Sequence, residues 1–169
     1  MRGIIASSRI RLSFLLDDYS GAKLAVSLRK LRGLYSGSAI RVRRSSDNLE
    51  SDIGFVNNVL DIVTLEAFAS GADAFITIVY GQDLVGNNAV QTTASKQPQI
   101  VSNGNVILEN GKPAMYFDGV NDYFTTSLPF SDNAYSFVVD KMEATVFPII
   151  LGSSSGGNRF LLLESNALN

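Results

Sequence analysis

The stretch from Gly111 to Phe124, Gly-Lys-Pro-Ala-Met-Tyr-Phe-Asp-Gly-Val-Asn-Asp-Tyr-Phe, leaves few folds open to this chain. Ala114 and Tyr116 alternate with Met115 and Phe117. Asp118-Gly119 and Asn121-Asp122 then supply turn chemistry before Tyr123-Phe124 restarts an aromatic run. The pattern predicts two strands and the turn between them, a hairpin of an antiparallel sandwich. Strand-like runs recur at 74–80, 106–108, 114–117, 123–126, 135–139, 147–151 and 160–163. They are separated by clusters such as Gly86-Asn87-Asn88, Asn103-Gly104-Asn105, Glu109-Asn110-Gly111 and the Ser- and Gly-rich stretch 153–157. That rhythm predicts a mainly β chain built as a β-sandwich. Ile76, Ile78, Tyr116, Phe137 and Val139 are expected on its buried faces.

The N-terminal third reads as mixed. Leu24, Leu28, Leu31 and Tyr35 recur at helical spacing, which predicts an amphipathic helix over 21–34, started by Ser20 and ended near Gly33. Residues 39–44 alternate apolar and charged side chains and predict a strand with one wet face, closed by Ser45-Ser46-Asp47-Asn48. A second short helix is predicted over 60–70, with Thr64 as its cap and Gly71 as its stop.

With 169 residues and 46% apolar content, one domain spanning 1–169 is expected, with enough apolar side chains for a two-layer core. No apolar run approaches the ~20 residues of a membrane-spanning helix, and Arg9 and Arg11 interrupt the first apolar stretch where a signal peptide needs its centre. The absence of Cys removes thiolate chemistry, and the absence of His removes the commonest general base and metal ligand. Hydrolysis would have to run on carboxylates. Charge is unevenly spread: residues 1–44 carry ten cations and two anions, the remainder four cations and fourteen anions. Aromatic side chains are sparse among the early cations, so pairing with Asp47, Glu50 and Asp52 is favoured over a nucleic-acid partner.

Several motifs in fixed order carry a family resemblance. They are Leu28-Arg29-Lys30-Leu31, Tyr35-Ser36-Gly37, Ile40-Arg41-Val42-Arg43-Arg44-Ser45-Ser46-Asp47-Asn48, Asp52-Ile53-Gly54, Ile78-Val79-Tyr80 and Gly86-Asn87-Asn88-Ala89-Val90-Gln91. This block resembles the first half of the catalytic domain of α-L-arabinofuranosidase B, with its pattern LYxGxxxxVRRxSDxxxxDIG. It resembles phage virion-associated proteins that join the same block to a concanavalin A-like, laminin-G-like jelly-roll hairpin. The match runs from about Leu15 to Phe124. It implies a concanavalin A-like jelly roll in a virion or on an extracellular surface.

The departures bear on activity. Where those enzymes read YDQSG, this chain reads Tyr80-Gly81-Gln82-Asp83. Their adjacent Cys pair is absent. The position of their nucleophilic Glu corresponds to residues 159–163, where this chain has Phe160 and a displaced Glu164, and their acid/base Asp would lie beyond Asn169. A retaining glycosidase needs two carboxyls about 5–5.5 Å apart.

The resulting expectation is a non-catalytic module, a phage structural, decoration or fibre protein that binds a glycan or a neighbouring virion protein, in a homo-oligomer or larger assembly. An arabinofuranosidase-like hydrolase is the alternative. Tyr80, Gln82, Asp83, Asn87 and Asn88 are the candidate glycan contacts, amides and a carboxylate beside an aromatic platform. Asp118, Asn121 and Asp122 offer oxygen ligands for Ca²⁺, with turn geometry as the simpler account and no cofactor as the expectation. Arg41, Arg43, Asp47, Asn48 and Asp52 read as scaffold held by Arg–carboxylate pairing. The strand at 160–163 would leave three leucines at an open edge, so cover from a neighbouring chain or from polypeptide after Asn169 is expected.

Overall fold

The computed structural model describes residues 13–83, 85–128 and 141. The strands expected at 135–139, 147–151 and 160–163 lie outside them, as do Phe137, Val139 and Glu164. Within them the chain is mainly β, with antiparallel sheets and two helices.

The central sheet gathers β1 (Ile40–Arg44), β2 (Glu50–Ile53), β5 (Ala74–Val79), β6 (Ala89–Val90), β7 (Gln99–Ser102) and β8 (Asn105–Val106). Its order is β2-β1-β5-β7-β8, with β6 also on β5, and the sheet curls. Two short hairpins accompany it: β3 (Phe55–Val56) with β4 (Val59–Leu60), and β9 (Leu108–Glu109) with β10 (Lys112–Pro113). Their turns, Asn57-Asn58 and Asn110-Gly111, hold both central residues at positive φ, as does Asn103-Gly104 between β7 and β8. A two-residue hairpin needs that mirror-image twist, and Asn and Gly tolerate it best.

The alternation read in 39–44 produces β1: Ile40 and Val42 are buried while Arg41 and Arg43 point away. Between β1 and β5 the register shifts, Arg41 opposing Ile78 and Val42 opposing Ile76, so Thr77 is an extra residue. This bulge lets both Ile76 and Val79 face the core. Ile40, Val42, Ile53, Ala74, Ile76, Ile100 and Val101 from the sheet meet Leu28, Leu60, Leu65 and Ala69 in one cluster.

The second expected helix is α2 (Ile62–Ala69). Its cap is Asp61 rather than Thr64: the Asp61 carboxylate accepts from the Thr64 N–H at 3.0 Å and from its hydroxyl at 2.7 Å. Ser70 and Gly71, both at positive φ, end it. Leu65 and Ala69 face the sheet, and Glu66 Oε1 accepts from Val106 N at 3.1 Å, tying α2 to β8.

The helix expected over 21–34 is not formed. Among the described residues only α1 (Leu15–Asp18), a single turn, precedes β1, and 21–34 runs irregularly along the core. Its backbone groups are taken by distant partners: Leu31 O accepts from Leu16 N, Lys30 N donates to Asn58 O, Leu28 O accepts from Leu60 N, and Ala25 O accepts from Gln82 N. Those bonds satisfy the groups a helix would have used.

The hairpin expected at 111–124 takes another form. Gln99 pairs with Tyr116 and Val90 with Thr125, in one continuous antiparallel register. Residues 91–98 and 117–124 are therefore two matched excursions from a single pair of lines along β5, and the flanks of the acidic turn pair with β6 and β7 rather than with each other. The excursions grip one another: Gln91 Nε2 donates to Tyr123 O at 2.8 Å, and the Lys96 ammonium sits 5.4 Å from the centre of the Tyr123 ring. Met115 and Phe124 pack on the core. Tyr116, expected to be buried, is 50% exposed because its partner Gln99 stands on the opposite face of the sheet from the core.

Candidate functional site

Directly paired residues of antiparallel strands share a face. Two rows therefore cross the face of the sheet that turns away from the core. One is Asp52, Arg41, Ile78, Val90, Thr125; the other is Glu50, Arg43, Phe75, Gln99, Tyr116. Each begins with an acidic residue opposite a basic one, ion-paired in the Asp52–Arg41 row, passes through half-buried side chains, and ends on the segment that carries the acidic turn. Tyr80, two residues beyond Ile78, joins the first row.

In that row Arg41 makes a two-pronged contact with Asp52, Nε to Oδ1 at 2.7 Å and Nη2 to Oδ2 at 2.9 Å. The Tyr80 hydroxyl donates to Asp52 Oδ1 at 2.8 Å. These donors hold the Asp52 carboxyl below the ordinary carboxylate range, Arg41 contributing most. Burial, then the bond to Asp52, pushes the Tyr80 phenol up to about 12. The cluster stays partly open to solvent and offers charged N–H groups, carboxylate oxygens, a phenol oxygen and a ring face together.

In the second row the Arg43 guanidinium lies 5.2 Å from the centre of the Phe75 ring. It donates to Gln97 Oε1 at 2.8 Å and to Asn48 Oδ1 at 2.9 Å. Buried Gln97 donates onward to Gln91 O at 3.0 Å, and Gln91 reaches Tyr123. A hydrogen-bonded chain thus runs from the β1–β2 turn to the outer excursion. The expected Arg–carboxylate pairing is present at Arg41, whereas Arg43 bonds amide oxygens and Asp47 is taken instead by Arg44, through Nε and Nη2.

The loop after Tyr80 is built inward. Gln82 is completely buried: its Oε1 accepts from Leu31 N at 2.6 Å, and its Nε2 donates to Arg29 O at 2.8 Å and Ser27 O at 3.2 Å. Asp83 is also buried. Its Oδ1 accepts from the N–H groups of Val85, Gly86 and Asn87, whereas Oδ2 has no hydrogen-bond partner among the described residues. Asn87 Nδ2 donates to Lys23 O at 2.7 Å, and Asn88 Oδ1 accepts from Gly81 N at 3.0 Å. A side chain at Gly81 would run into the Asn87 carbonyl, so the loop closes only on glycine. Of the five residues singled out in sequence, Tyr80, Asn87 and Asn88 are half-buried, while Gln82 and Asp83 are buried and bond the loop and its neighbours.

The acidic turn is likewise organised by its own backbone. Asp118 Oδ1 accepts from the N–H groups of Val120, Asn121 and Asp122, which lowers its pKa. Asp122 Oδ2 accepts from Asp118 N at 3.0 Å, and burial raises its pKa. Among the described residues no three His, Cys, Asp or Glu side chains gather to hold a metal ion. The turn is ringed by Phe117 and Tyr123, 45% and 44% exposed, with Phe117 edge-on to Phe124 at 5.9 Å.

Arg41 and Asp52, read in sequence as scaffold, share the open cluster with Tyr80. The signal was in the sequence: Arg41 lies on the wet positions of its strand. Pairing with Asp52, and not with the nearer Asp47, needed the β1–β2 register.

Comparison with protein-family models, curated proteins and solved structures gave no match. No described helix is long and apolar enough to cross a membrane.

Proposed function

We propose that this protein is a non-catalytic virion or surface module of concanavalin A-like sandwich architecture, binding a neutral glycan on the open face of its sheet. The observation that carries the reading is the Arg41–Asp52–Tyr80 cluster. Vicinal sugar hydroxyls donate and accept at once, and the cluster presents both functions on planar side chains beside an aromatic ring. Asn87 and Asn88, in the loop that follows Tyr80, add amide groups. Catalysis by these groups is disfavoured, because Asp52 is held ionised by its donors, whereas a general acid for a glycosidic oxygen needs a raised pKa.

A neighbouring virion protein is the second reading, favoured by Tyr116, Phe117 and Tyr123, aromatic side chains of the kind that anchor protein interfaces. A glycan array probed with the intact chain, repeated with Arg41→Ala and Tyr80→Ala, separates the two. Binding lost in both variants supports the glycan site. A blank array combined with self-association lost in Tyr123→Ala supports the interface. Turnover of an aryl arabinofuranoside that is abolished by Asp52→Asn overturns the non-catalytic reading.

A further inference from the structure

Asparagine followed by glycine is the pairing most prone to self-modification, because the glycine N–H meets no Cβ on its way to the asparagine side chain. Only Asn103 and Asn110 precede a glycine in this chain. Both sit in two-residue hairpin turns with positive φ at both positions, yet their surroundings differ.

The Asn103 turn is pinned. Gly104 N donates to Ala72 O at 3.1 Å, Asn103 N donates to Asp73 Oδ1 at 2.7 Å, and the Asn103 amide reaches Ser102 Oγ at 3.4 Å. Gly104 also rests against Gly71, so closely that a Cβ there would lie 2.7 Å from the Gly71 Cα. The attacking nitrogen is occupied and the turn backs onto the end of α2.

The Asn110 turn has none of this. Among the described residues neither the Asn110 side chain nor the Gly111 N–H has a hydrogen-bond partner, and nothing lies within 4 Å of where a Gly111 Cβ would stand. Among the described residues its hairpin pairs Lys112 with Glu109 and Pro113 with Leu108, in a sheet of two strands, and one further bond, Ala114 N to Ile107 O at 3.0 Å, continues the register. So short a ladder opens at little cost, and opening frees the Asn110 ψ angle to bring Gly111 N onto the side-chain carbonyl.

We infer that Asn110 is a self-modification site of the folded protein and that Asn103 is protected. Gly111 N, losing its proton, bonds to Asn110 Cγ; the Cγ–Nδ2 bond breaks, ammonia leaves and a succinimide forms. Water then opens the ring at either carbonyl, giving aspartate or isoaspartate. Either product places a carboxylate beside Glu109, which already binds Lys141 at 2.8 Å, and isoaspartate adds a methylene to the backbone of a two-residue turn.

The test is to incubate the intact chain at neutral to mildly alkaline pH and follow both sites by peptide mapping, with enzymatic methylation reporting isoaspartate. Native protein should convert Asn110 at least about tenfold faster than Asn103, the difference between an easily opened and a pinned turn. In denaturant the two rates should converge, and Gly111→Ala should slow the native reaction at 110 alone. Comparable native rates at the two sites, faster loss at Asn103, or a native-state difference that persists unchanged in denaturant would overturn the inference.

Discussion

The Tyr80 hydroxyl and the Arg41 guanidinium donate to the same oxygen of Asp52, at 2.8 and 2.7 Å. Burial, and then this bond, keeps the phenol protonated well past its ordinary value of 10.0, up to about 12. A folded-state pKa above the unfolded one means that the contribution to stability is complete below the unfolded value and disappears as pH rises through the folded one. Stability should fall between about pH 10 and 12, and Tyr80→Phe should flatten that part of the profile. Tyrosinate absorbance should lose its latest-titrating component in the variant. The hydrogen bond is half-exposed, so Tyr80→Phe should cost only about 0.5 kcal/mol at neutral pH.

The acid limb reports the partner. Asp52 is depressed, chiefly by Arg41, so its contribution is complete above the ordinary carboxylate range and is lost as pH falls through the lower folded value. Asp52→Asn should remove that part of the acid dependence while leaving midpoints near neutrality little changed, because the pair is partly solvated. Urea midpoints measured across the acid range compare the two proteins. An unchanged acid limb would mean that the other depressed carboxylates, Asp47, Asp61 and Asp118, dominate it.

β5 separates core from open face within three residues. Ile76 is buried and Ile78 half-buried, although both lie in the same apolar run and both were expected to be core. Ile76→Ala should cost about 2–5 kcal/mol and Ile78→Ala clearly less. Denaturant unfolding of the two variants side by side reads the difference, which would vanish if the Thr77 bulge were absent and the strand kept a simple alternation.

What was legible in sequence is what local chemistry decides. The alternation in β1, the Asn-Gly turns and the stop of α2 at Gly71 each follow from one residue's conformational preference. The 21–34 segment failed because its helical spacing of Leu24, Leu28 and Leu31 is matched by long-range capture of the backbone, which no window along the sequence contains. The 117–124 excursion failed for a related reason. Its turn residues were read correctly, but the register that sends its flanks to β6 and β7 is set by the strand opposite. At the site, Tyr80 was found through its place after an apolar strand, whereas the closeness of Asp52 depends on the same kind of register.

Gln82 is the residue on which the irregular segment most depends. Its buried amide answers Leu31 N, Arg29 O and Ser27 O, and its own carbonyl accepts from Arg32 Nε at 3.2 Å. Gln82→Leu keeps similar volume but strands the Leu31 N–H and leaves the two carbonyls without their donor, at about 1–3 kcal/mol for each buried group left unpaired. A loss of several kcal/mol in unfolding free energy is expected, together with faster amide hydrogen exchange at Leu31. Gln82→Glu distinguishes hydrogen bonding from packing: its carboxylate keeps the acceptor for Leu31 N but turns a donor into a second acceptor facing the Arg29 and Ser27 carbonyls. It should therefore destabilise the protein despite its nearly identical shape, and the loss should shrink at low pH, where a protonated carboxyl restores one donor. A Gln82→Glu protein as stable as the parent at neutral pH would show that the amide does not hold this segment in place.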